Sequence, residues 1–123
     1  MKVRTVRRSA FTLIEIMIVV AIIGLLAVAI IPNITKSQER ARSSMIQQNL
    51  RKIDAAKNLW ALENSKASGE TPSSEDLKAY DGWPKPLAGE TYNINPVGTP
   101  PTATLSGKLG TNAANSVISL PAE

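Results

Sequence analysis

Residues 11–31 read FTLIEIMIVVAIIGLLAVAII, an apolar run broken by one charge, Glu15. A helix of these 21 residues is about 31 Å long, matching a bilayer hydrocarbon core of about 30 Å. Pro32 lacks an amide hydrogen and its ring clashes with the carbonyl of residue 28, so it is expected to kink or end the helix there. From Asn33 to about Ser65 there is neither Gly nor Pro. Ile46, Leu50, Ile53 and Trp60, with Ala56 and Leu59 between them, recur at spacings that place them on one helical face. Arg51, Lys52, Lys57 and Glu63 fall mostly on other faces. The pattern predicts an apolar helix over 11–32 and its amphipathic continuation over 33–68, ended by Gly69 and Pro72.

The remaining segment, 69–123, is short and rich in turn residues. Ser73 and Asp76 stand at capping-box spacing, which predicts one or two helical turns near 73–80, and Asp81-Gly82 is a turn signal. Thr91 to Asn95 alternates as a strand with Tyr92 and Ile94 inward. Residues 96–101 form a loop or turn, Thr102 to Leu105 a return strand, and Val117 to Leu120 a third strand or part of a tail. The fold class is therefore α+β: a long N-terminal helix whose amphipathic half packs on a small β-hairpin and loop layer.

Charge narrows the function. The net charge is +4, with 14 basic and 10 acidic residues. Lys2, Arg4, Arg7 and Arg8 precede the first acid, Glu15, so the excess is entirely N-terminal and the rest of the chain is formally neutral. There is no basic stripe of the kind phosphate binding needs, and no direct nucleic-acid binding is expected. Histidine and cysteine are absent, which excludes Ser-His and Cys-His hydrolases, thiolate metal sites and disulfides. Glu70, Glu75, Asp76, Asp81 and Glu90 lack an oxygen-ligand spacing, so they are taken as solvated loop acids, with no metal or cofactor expected.

Glu15 is the informative residue. A carboxylate in a membrane segment costs on the order of 2.5–3.5 kcal/mol on insertion scales, so it usually has a partner and a task. Alone it is also compatible with a side chain reaching the headgroup level of a simple anchor. Ala27-Val28-Ala29 has signal-cleavage spacing, but the apolar run continues beyond it to Pro32, which favours an uncleaved span. The compact basic tail, free of acids and abutting the span, places the N-terminus in the cytoplasm. Ser9-Ala10 puts two small residues at the boundary, where a protease on the basic side of the membrane has access.

The string FTLIEIMIVVAIIGLLAVAIIP, with its short basic leader, resembles the N-terminus of type IV pilins and of the pseudopilins of type II secretion systems. The resemblance implies cleavage between Ala10 and Phe11 by a prepilin peptidase, removal of leader 1–10, and N-methylation of Phe11. It implies that Glu15 pairs with the new Phe11 amine of a neighbouring subunit, giving register rather than large net stability. It also implies that Gly24 and Pro32 bracket a stretch able to melt during assembly. The family usually has Gly before the cut; Ala10, the next smallest residue, predicts reduced cleavage efficiency. The segment WPKPLAGETYNINPVGTPPTA resembles a small domain of short pilin-like proteins that often carry a Cys pair around the hairpin, absent here.

The function expected from this resemblance is a structural subunit, not an enzyme, polymerised through its N-terminal helix into a pilus, a secretion pseudopilus or a DNA-uptake filament. Its expected partners are prepilin peptidase, identical or homologous pilin subunits, an inner-membrane assembly platform and membrane lipid. Its expected location is the bacterial inner membrane, single-pass, with the C-terminal region periplasmic, and then a filament. The alternative is a single-pass anchored binding module that never polymerises.

Overall fold

The computed structural model describes residues 2–4, 9–87 and 89–121. Arg7 and Arg8 of the basic leader lie outside the described residues. The chain divides into two compact units, 1–35 and 36–123. The element order is α1 (Leu13–Glu63), α2 (Ser74–Lys78), β1 (Thr91–Asn93), β2 (Thr102–Thr104) and β3 (Val117–Ser119). The fold is α+β, a 51-residue N-terminal helix followed by a small antiparallel sheet.

Pro32 lies inside α1 and does not end it. The helix instead stops at Glu63, short of the expected residue 68, and Gly69 is not what stops it. Ser65 adopts a left-handed conformation at φ 51°, and the Lys66 amide donates to the Ala61 carbonyl at 2.9 Å. That long-looped bond across a left-handed residue is a Schellman closure, here built on Ser in place of the usual Gly. Gly69, at φ 98°, takes the next bend. Its amide donates to the Val97 carbonyl at 3.0 Å, while the Val97 amide donates to Glu70 at 2.8 Å, tying the linker to the hairpin loop.

Ser73 caps α2 through a complete capping box: the Asp76 amide donates to Ser73 Oγ at 3.2 Å and the Ser73 amide donates to Asp76 Oδ2 at 2.9 Å. The Ser73 hydroxyl also donates to Asp76 Oδ2 at 2.7 Å, and this bond, with that from the Ser73 amide, holds the Asp76 carboxyl below its ordinary pKa. α2 closes like α1, with Asp81 at φ 52° and the Gly82 amide donating to Leu77 at 2.9 Å. In Asp81-Gly82 it is Asp81 that makes the left-handed turn. Gly82 serves packing, since a Cβ there would stand 2.1 Å from Ala56 Cβ and 3.2 Å from the Leu77 carbonyl oxygen.

The sheet has order β1-β2-β3, with Tyr92 opposite Ala103 and Ala103 opposite Ile118. Tyr92 and Ala103 point to the core, where they meet Ile46, Leu50, Ile53 and Ala56 of α1, Leu77 of α2, and Leu105 and Leu109. Each large aliphatic group buried there contributes about 1.5–3 kcal/mol. Ile94 is half-buried rather than fully inward.

Three helix assignments are corrected by this core. Leu59 is 49% exposed, because it follows Ile53 by six positions and turns most of the way to the opposite face. Trp60 is only half-buried, with the Lys66 ammonium 5.8 Å from its ring centroid. Lys57, expected on a solvent face, is completely buried. It lies one turn beyond Ile53 and fills the core line between Ile53 and the hairpin loop.

Candidate functional site

Ala10 and Phe11 stand exposed just before α1, and Glu15 lies in its first turn. Thr12 shapes this entry. The Glu15 amide donates to Thr12 Oγ1 at 3.3 Å, and the Thr12 amide donates to Glu15 Oε2 at 3.4 Å. Both bonds are long, but the arrangement is the reciprocal one of a capping box, T-x-x-E. Thr12 is a residue that sequence reasoning passed over, although its spacing to Glu15 is visible in the string. The carboxylate also lies where the helix macrodipole favours it by about 0.3–1 kcal/mol.

Gly24 and Pro32 both lie within α1. A Cβ at Gly24 would meet nothing within 4 Å, so no neighbour in this chain requires glycine there. At Pro32 the ring removes the amide that would bond the Val28 carbonyl. Thr35 Oγ1 donates to the Ile31 carbonyl at 3.0 Å, a back-bond that slightly bends helices. Glu15, Gly24 and Pro32 thus mark successive places along one helix rather than converging on one point.

What unites them is the surface they share. Every large apolar side chain from Phe11 to Ile34 is at least 51% exposed. An apolar surface this continuous marks contact with lipid or with another protein. By length and composition α1 contains a stretch able to cross a membrane.

The acids elsewhere are occupied separately. Glu70 pairs with Lys66 at 3.1 Å, Glu75 with Lys78 at 2.6 Å and Asp81 with Lys52 at 3.7 Å. Glu90, taken as a solvated loop acid, is instead buried at 2% exposure and accepts from Tyr92 Oη at 2.7 Å and from the Leu87 amide at 2.9 Å. Tyr92 Oη in turn accepts from Asn49 Nδ2 at 2.9 Å. Among the described residues no three acids gather into a metal-binding group.

Comparison with known proteins bears on the helix. Residues 6–31 match the prokaryotic N-terminal methylation motif. The chain is 45% identical over 62 residues to the type IV major pilin protein PilA of Myxococcus xanthus, covering 50% of this chain and 28% of that protein. It is 33% identical over 81 residues to the type II secretion system core protein G of Pseudomonas aeruginosa, covering 65% of this chain and 57% of that protein. With core protein G of Klebsiella pneumoniae it shares 35% identity over 60 residues, covering 49% of this chain and 43% of that protein. The chain thus spans less than two thirds of the length of these relatives. No solved structure matches it significantly. The chain is thus similar to a type IV pilin and to type II secretion core proteins G, and its residues 6–31 carry the prokaryotic N-terminal methylation motif.

Proposed function

We propose that the chain is a structural filament subunit and not an enzyme. In this reading a prepilin peptidase cuts between Ala10 and Phe11 and methylates the Phe11 amine. The product is held in the inner membrane with its C-terminal region outside the cytoplasm, and is then passed by an inner-membrane assembly platform into a pilus-like or pseudopilus filament. The observation that carries the reading is the uncovered apolar face of residues 11–34, most of which lies in the methylation motif of residues 6–31. Such a face needs lipid or other helices around it, and a filament supplies the second environment once the subunit leaves the first. Glu15, paired with the Phe11 amine of a neighbour, then fixes register between subunits, and Gly24 with Pro32 lets the helix loosen between them.

The reciprocal bonds between Thr12 and Glu15 favour one rival: Glu15 as a helix cap in a simple membrane anchor. Mass spectrometry of the membrane-derived protein separates the two. A chain beginning at methylated Phe11, recovered in sheared filaments, is the expected result. A chain retaining residues 1–10 in cells with active prepilin peptidase would overturn the processing step, and absence from filaments would leave the anchor.

A further inference from the structure

The core line of α1 continues past its last apolar residue. Ile53, Leu50 and Ile46 are buried, and the helical spacing that links them leads on through Ser43, Glu39 and Lys36. Polar residues there take the places that aliphatic ones would fill. The facing wall is the turn from Leu109 to Asn112, and between the two walls, with Arg40 at the side, lies a groove of about 500 Å³. The turn is firmly held. Leu109 is buried, its amide donates to the Asn112 carbonyl at 2.9 Å, and the Asn112 amide donates back to Leu109 at 2.9 Å. Gly110, at φ 60°, brings the turn against the helix, where a Cβ on it would stand 3.6 Å from Glu39 Oε2.

The charges in this groove are not satisfied within the chain. Among the described residues, Lys36, Glu39 and Arg40 make no ion pair. Lys36 and Arg40 stand one turn apart, a like-charge spacing that is unfavourable by itself and that an anion between them relieves. Glu39 is half-buried at the turn and offers an acceptor to a cation. Ser43, Thr111 and Asn112 add uncharged hydrogen-bonding groups around them. A simple phosphate would match the two cations and oppose the acid. A ligand that carries a phosphodiester and a primary ammonium a few bonds apart matches all three.

Position along the chain selects the source of that ligand. Lys36 comes five residues after Ile31, the end of the apolar run, which in a helix is about 7–8 Å. The headgroup layer outside a bilayer's hydrocarbon core is about 5–7 Å deep on each side. Helical side chains also lean toward the helix N-terminus, so Lys36 and Arg40 reach back toward headgroup level. From this we infer that the groove binds the phosphoethanolamine headgroup of a membrane phospholipid, with its phosphate between Lys36 and Arg40 and its ammonium on Glu39. The site rests on the membrane-held stage of the reading above and not on assembly into a filament.

The test is lipid retention by the full chain in uncharged-detergent micelles, read by native mass spectrometry with dioleoyl phosphatidylethanolamine, phosphatidylglycerol or phosphatidylcholine added. Phosphatidylethanolamine is expected to be retained best. Glu39→Gln is expected to weaken its retention about tenfold and to leave phosphatidylglycerol retained at least as well as before, whereas Lys36→Gln and Arg40→Gln weaken both about tenfold, each removing a charged hydrogen-bond partner. Arg42 lies on the same stretch of helix outside the groove, so Arg42→Gln is expected to leave retention unchanged. Equal retention of the three lipids, an unaltered preference in Glu39→Gln, or a loss in Arg42→Gln as large as in Arg40→Gln would overturn the site and leave only diffuse surface charge. Displacement of the lipid by free O-phosphoethanolamine at equal concentration would overturn the lipid as occupant. A wild-type chain that carbonate washes out of membranes would remove the membrane reading itself. A carbonate-resistant chain that retains no phosphatidylethanolamine overturns this site alone.

Discussion

Lys57 donates from its ammonium to the Ile94 carbonyl oxygen at 3.2 Å, fastening the residue that follows the first hairpin strand to the last two turns of α1. The same ammonium bonds the Thr99 carbonyl and stands 3.8 Å from Asp54 Oδ1. One buried cation thus closes the 94–99 loop on the helix. Replacing it by Met keeps most of the volume and removes every bond, so Lys57→Met is expected to destabilise the folded unit by about 1–3 kcal/mol. Denaturant unfolding of the detergent-solubilised chain measures it. Local loss should appear first as faster amide exchange across 94–99.

The same residue predicts a pH dependence. Burial pushes the Lys57 pKa below the ordinary 10.5, against the weaker pull of Asp54. The unfolded chain therefore binds more protons than the folded one in the interval between the lowered pKa and 10.5, and stability rises with pH across it. The stability difference between wild type and Lys57→Met should widen as pH approaches 10.5. A difference that narrows would contradict the buried, desolvated ammonium.

Tyr92 predicts the opposite sign. Its burial, with the Glu90 carboxylate beside it, raises the hydroxyl pKa well above the ordinary 10.0. Folding favours the protonated hydroxyl, so its contribution is complete below pH 10 and is lost as pH rises toward the raised value. Tyr92→Phe removes the bonds to Glu90 and Asn49 and is expected to cost about 1–3 kcal/mol near neutrality. That difference should shrink above pH 10. Comparing both variants in one alkaline titration separates the two effects, because one gap grows while the other closes.

Lys57 and Glu90, the partner of Tyr92, also show where sequence reading stopped. Ile46, Leu50, Ile53 and Ala56 announce the core face of α1 because apolar side chains at helical spacing have one economical use, burial. The alternation around Tyr92 and the return strand that starts at Thr102 were legible for the same reason. Lys57 and Glu90 were not, since a charged side chain is placed in solvent by default and only tertiary partners, here two carbonyls and a tyrosine hydroxyl, make its burial tolerable. The stop at Ser65 was hidden similarly: Gly69 is the residue that propensity selects, yet the left-handed turn fell four positions earlier, where the Lys66 amide could reach Ala61. At the N-terminus the string around Glu15 carried the family resemblance, while the role of Thr12 depends on a reciprocal pair that is easily overlooked when the carboxylate is assigned elsewhere.

Gly82 offers a steric test independent of charge. A Cβ placed there would lie 2.1 Å from Ala56 Cβ and 3.2 Å from the Leu77 carbonyl oxygen, both parts of packed helices. Gly82→Ala is expected to destabilise the unit by about 1–3 kcal/mol through overpacking. Thermal unfolding should show the loss, and combining it with Ala56→Gly should recover part of it. A neutral Gly82→Ala would mean that α2 does not close on α1 at this distance.

Glu15 stands between two explanations that a single substitution can separate. As a cap it needs only an acceptor oxygen for the Thr12 amide, 3.4 Å away. As a counter-ion to the Phe11 amine of a neighbour it needs its charge. Glu15→Gln keeps the acceptor and the size but is neutral, whereas Glu15→Ala removes both. Under the register role, Gln and Ala behave alike: both variants insert in the membrane and both fail to enter filaments. Under the capping role, Gln assembles normally and Ala loses about 0.3–1.5 kcal/mol of helix-end stability. The expected outcome is failure of both, read as membrane-retained protein absent from sheared filaments. Normal filaments from Glu15→Gln would assign the residue to the cap formed with Thr12.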